Sequence, residues 1–91
     1  MLPPNSKIKK SYIIVYKHTT NNKQYYLYNS GSRFHEDFSK AKVFKRKSDA
    51  SCALNYMNIS KTIRVNDCGF IRNVTNLEIK IVYIIYNENL Q

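Results

Sequence analysis

Glycine and proline occur only twice each in this 91-residue chain, and both prolines sit together at Pro3-Pro4. So few chain breakers predict an interior of regular secondary structure behind a frayed start at Met1 to Asn5. Two cysteines, Cys52 and Cys68, are too few for the disulfide framework of a small secreted domain. The longest apolar runs, "YIIVY" and "IVYIIY", are too short to cross a bilayer, and the leader MLPPNSKIKK lacks the apolar stretch of a signal peptide. These absences predict a cytoplasmic domain with no membrane partner. Acidic residues are scarce as well: six Asp and Glu face 15 Lys and Arg, for a formal charge of +9. AT-rich codon usage inflates Lys, Asn, Ile and Tyr together, yet it does not suppress acids. The imbalance therefore points to polyanions or acidic protein surfaces as partners.

What is present reads as one small domain. Residues 1–10 are predicted to be a flexible basic leader, with a single domain over residues 11–91. The β-branched and aromatic runs Tyr12 to Lys17 and Gln24 to Tyr28 predict a hairpin about the turn Thr19-Thr20-Asn21-Asn22. Residues 29 to 36 read as a polar exposed loop. Phe38 and Ala41 suit one helical turn, followed by extended Val43-Phe44. Ser48 is expected to cap a helix whose buried stripe is Ala50, Ala53, Leu54 and Met57, with Asp49 on the dipole and a stop at Asn58. Two short strands about Asn66 to Gly69 and one long strand from Asn76 follow. In that last strand Leu77, Ile79 and Ile81 alternate with Glu78 and Lys80; Val82 to Tyr86 is then apolar on both sides, which predicts cover on both faces. The expected class is α+β: a mostly antiparallel sheet of four to five strands with one principal helix on one face.

The stretch "FSKAKVFKRKSDASCAL" behind a tyrosine-rich hairpin resembles a loose group of small phage-encoded accessory proteins. Phe38, Ser39, Ala41, Phe44, Asp49, Ala50, Ala53 and Leu54 carry the likeness. The resemblance implies a non-enzymatic protein that binds and inhibits a host protein of a defence or nucleic-acid-processing system, such as restriction or CRISPR machinery.

Within the residues themselves, the densest charge is Lys40, Lys42, Lys45, Arg46 and Lys47. Alternation along a strand would split these between two faces, so a solvated surface is the plain alternative to a nucleic-acid grip. The candidate partner or nucleic-acid contacts are Arg33, Phe34 and His35 in the expected loop, Lys42, Lys45, Arg46 and Lys47, and the tyrosines Tyr26 and Tyr28. Tyr26 and Tyr28 share one face of their strand and Tyr25 takes the other, where a ring could simply fill the core. His18, His35, Cys52 and Cys68 are the soft metal-ligand candidates, but none are paired as a zinc site requires, and Cys52 beside Ala53 reads as a small core residue. No catalytic residue, cofactor or metal is expected. His35, Lys42 and Tyr28 are the one trio imaginable for metal-free acid–base work. Direct, sequence-nonspecific binding of DNA or RNA is the alternative to a protein partner, with the chain a monomer or a homodimer through "IVYIIY".

Overall fold

A computed structural model describes residues 6–18, 22–29, 32–67 and 69–87. Among these residues six strands and one α-helix run in the order β1 (Ser6–Lys17), β2 (Gln24–Asn29), β3 (Arg33–His35), α1 (Lys47–Ser60), β4 (Thr62–Val65), β5 (Gly69–Arg72) and β6 (Leu77–Asn87). They form a single sheet ordered β5-β4-β3-β2-β1-β6. Every neighbouring pair is antiparallel except β3 with β4. Parallel neighbours need a long crossover, and α1 supplies it. The class is α+β, with six strands where four to five were expected.

The added strand is β3. Residues 29–36 read as a polar loop because Arg33 and His35 flank a single apolar residue. In the folded chain those three residues alternate across the sheet, and Phe34 is fully buried in the core. Residues 6–10, expected in a leader, are strand as well: they continue β1 in unbroken register with β6 from Ser6↔Asn87 to Tyr16↔Leu77. Met1 to Asn5 lie outside the described residues, as do residues 19–21 of the expected hairpin turn.

The helix packs its predicted stripe onto one face. Ala50 and Met57 are buried, and Ala53 and Leu54 lie against Ile14, Tyr16, Tyr25, Leu27, Phe34, Ile63 and Val65. Its start differs from expectation. The N-cap is Arg46, whose carbonyl accepts from the Ala50 amide, and no side chain caps the turn; Ser48 already lies inside it. The helix also runs past Asn58 to Ser60 and ends on Lys61, whose left-handed φ of 54° returns its amide to the Met57 carbonyl. Cys52 is exposed rather than buried, since it falls off the stripe.

Between β3 and α1 the chain passes through the sheet. Phe38, in a single 3-10 turn at Phe38–Lys40, meets Tyr26 edge-on at 5.1 Å on the face away from the helix. Phe44 packs into the core on the helix side. The crossing is held by the Lys42 amide on the Leu27 carbonyl (2.7 Å) and by paired bonds between Phe44 and Tyr12 (2.8 and 2.9 Å). This wedge separates β1 from β2, whose own pairing is confined to Val15 to Lys17 against Gln24 to Tyr26. Beyond it β1 and β6 continue as a two-stranded ribbon.

Candidate nucleic-acid interface

Residues paired across a sheet point to the same side, so the registers sort every strand residue onto one of two faces. The helix side takes Ile14, Tyr16, Tyr25, Leu27, Phe34, Ile63, Val65, Ile71, Leu77 and Ile79; Lys10 is its one charged strand position among the described residues. The opposite face takes Lys7, Lys9, Lys17, Arg33, Arg64, Arg72 and Lys80, with Glu78 as its one strand acid. Three of the four arginines in the chain thus stand on the helix-free face.

A continuous row crosses three strands there. Phe70 pairs with Arg64, and Arg64 pairs with Arg33. The Arg64 guanidinium lies 5.7 Å from the Phe70 ring centroid, a cation–π contact that orients both. Phe70 itself is 70% exposed, an unusual position for a large apolar ring on a regular strand. Arg72 stands one step along β5, opposite Thr62. On the other side of Arg33, Tyr28 meets His35 edge-on at 5.6 Å. Tyr28, Arg33, Arg64 and Gly69 border a depression of about 370 Å³ that also reaches Asp67. The backbone at Gly69 has a φ of 76°, a left-handed conformation that lets the chain turn into β5 at the rim.

Acidic groups gather at one end of this face and are largely engaged. Lys23 bridges Asp67 (3.1 Å) and Glu36 (3.2 Å), and those hydrogen bonds raise its ammonium well above the ordinary lysine range. The Tyr25 hydroxyl also donates to Asp67. Asp37 accepts from both the side chain and the backbone amide of Ser39, which lowers its carboxyl below the usual value. The acids are thus held at one end of the face, with Lys23 offsetting part of their charge, and the arginine row lies beside them.

The sequence-derived candidates divide between the two sides of the sheet. Arg33, His35, Tyr26 and Tyr28 come together on the helix-free face. Phe34 does not join them; it is core, and its candidacy as a contact residue ends there. Lys42 extends over the Phe44 ring at 5.5 Å, beside Ala53 and Tyr56 in a groove on the helix side. It is thus apart from His35 and Tyr28, and the imagined catalytic trio does not assemble. Lys45, Arg46 and Lys47 are exposed at the helix start, on the helix side. Among the described residues no three His, Cys, Asp or Glu side chains gather as metal ligands, and Cys68 lies outside those residues. Among the described residues no helix is long and apolar enough to cross a membrane.

Arg64, Phe70 and Arg72 were not singled out from sequence. Their signal is the period-two alternation of "TIRV" and "GFIR", which sets Thr62 and Arg64 against Ile63 and Val65, and Phe70 and Arg72 against Ile71. Comparisons with known protein families, with curated proteins and with solved structures return no match for this chain.

Proposed function

We propose that this protein binds single-stranded nucleic acid across the helix-free face of its sheet, without catalysis. The observation that carries the reading is the partition of charge within the sheet: seven basic strand residues and one acid on that face, against one strand lysine on the other, where the remaining bases Lys42, Lys45, Arg46 and Lys47 lie off the strands. Arg33, Arg64 and Arg72 are spaced along neighbouring strands to pair with successive phosphates. Phe70, propped by Arg64, offers a ring on which a base stacks, and Tyr28 with His35 offers a second such edge beside the depression. A sheet surface with aromatics suits unpaired bases better than a duplex, whose bases are already stacked.

The phage-type inhibitor implied by the motif at residues 38–54 is a second reading. Of that motif, Phe44, Ala50, Ala53 and Leu54 are accounted for by core packing. A nucleic-acid cleft on a host protein is itself basic and would repel a chain at +9, so this reading requires an acidic docking patch on the partner. Fluorescence anisotropy with labelled single-stranded and duplex oligonucleotides of one sequence tests the first reading. It expects the single strand to bind more tightly and the variant Arg33→Glu/Arg64→Glu/Arg72→Glu to lose binding while staying folded. Absence of oligonucleotide binding, with a host protein retained on the tagged chain after nuclease treatment, would favour the second.

A further inference from the structure

The two margins of the sheet are protected very differently. β5 is an edge of four residues ending in Arg72, short and charged as edge strands usually are. β6 is an edge of eleven residues, Leu77–Asn87, about 37 Å long at the usual rise per residue. It contains no proline, its register with β1 has no bulge, and its charge is confined to Glu78 and Lys80. On its outer side no strand is paired with it among the described residues. The predicted cover over Val82 to Tyr86 is not found on the described side chains: Tyr83 is 66% exposed, Ile85 54% and Ile84 37%, with Ile81 and Ile8 exposed beside them.

We propose that a second copy of this chain pairs with this edge, β6 against β6, antiparallel about a two-fold axis normal to the sheet. Charge selects the occupant. β6 carries one Glu and one Lys and is neutral on a chain of +9, so two copies can approach here without like charges meeting on the paired strands. The register that uses all eleven residues places Val82 of both copies on the axis, Ile81 opposite Tyr83 and Ile79 opposite Ile85. Glu78 and Lys80 fall opposite Tyr86 and Ile84, away from their own kind. Such a pair forms about ten main-chain hydrogen bonds, the number a typical protein interface carries. The arrangement is isologous and closes at two copies. It sets both helices on one side and both basic faces on the other, with Lys80 of one copy two strands from Lys9 of the next. Salt screens that repulsion and strengthens the dimer, whereas it weakens nucleic-acid binding. The pairing stands or falls apart from the nucleic-acid reading, because it uses the edge and not the arginines.

Sedimentation velocity on the full chain, between about 50 and 300 mM salt, reads the proposal directly. The expected result is a concentration-dependent dimer that tightens with salt. The variant Ile81→Lys/Tyr83→Lys sets lysines opposite one another and is expected to be monomeric with an unchanged circular dichroism spectrum and melting curve. In a Cys52→Ser/Cys68→Ser background, Val82→Cys is expected to cross-link under mild oxidation and Glu78→Cys is not. A monomer at every concentration, a dimer that persists in the double-lysine variant, or preferential cross-linking through Glu78→Cys would overturn it.

Discussion

Arg33, Phe34 and His35 are consecutive, yet they belong to two surfaces built on opposite principles. Phe34 faces the helix and is sealed among Tyr16, Leu27 and Val65, where geometry is fixed by close packing. Arg33 and His35 face away, into a layer where guanidinium groups and rings remain accessible. One face is packed under the helix and has one strand lysine; the other carries seven of the eight basic strand residues, beside the buried Ile13 and Val15. The solvated face of a one-sided sheet is polar by default, but it ordinarily mixes both signs, and here seven bases face one acid. Concentrating three arginines beside an exposed phenylalanine costs solvation and self-repulsion, and a bound polyanion offsets both.

The contrast between the faces can be broken from either side. Phe34→Ala should have the largest effect on the fold, about 3–5 kcal/mol of lost stability for a buried phenylalanine, read as a fall in the denaturation midpoint. Arg33→Ala, one residue away, should leave that midpoint nearly unchanged. Phe70→Ala should reverse the pattern. Stability stays within error, and single-strand affinity falls by about 1–3 kcal/mol if the ring stacks a base. Ser11 sharpens the comparison within the helix-free face. Its hydroxyl is buried with no hydrogen-bond partner among the described residues, so Ser11→Ala should be neutral or stabilising by roughly 1 kcal/mol. A loss of stability would show that the hydroxyl is satisfied. Charge reversal at Lys45, Arg46 and Lys47 should have the smallest effect on oligonucleotide affinity, because these residues stand on the helix side. A loss as large as that from the arginine row would relocate the interface.

Much of this architecture is legible in local sequence. The hairpin strands, the helix stripe from Ala50 to Met57, the turn at Phe38 and the paired strands about Asn66 follow from periodicity and turn chemistry. The opposition of Tyr25 to Tyr26 and Tyr28 follows from alternation alone. β3 was hidden because three residues hold one hydrophobic position, too short for any period to register. The site was hidden for a related reason. Arg33 and Arg64 are brought together only by the parallel pairing of β3 with β4, a contact across 31 positions that no local pattern encodes. The dense run at residues 40–47 is contiguous in sequence, but the chain crosses the sheet there and leaves Lys42, Lys45, Arg46 and Lys47 on the helix side, away from the arginine row.

The most direct test of the account is the salt dependence of single-stranded oligonucleotide binding, measured for the parent chain and for Arg33→Ala/Arg64→Ala/Arg72→Ala. Each phosphate neutralised contributes about −0.7 to the slope of log K against log salt on a single strand. Three arginines in contact therefore account for a slope of about −2, and the triple variant should be shallower by that amount. Equal slopes in the two proteins, or no measurable binding by the parent chain at low salt, would contradict the assignment of the helix-free face.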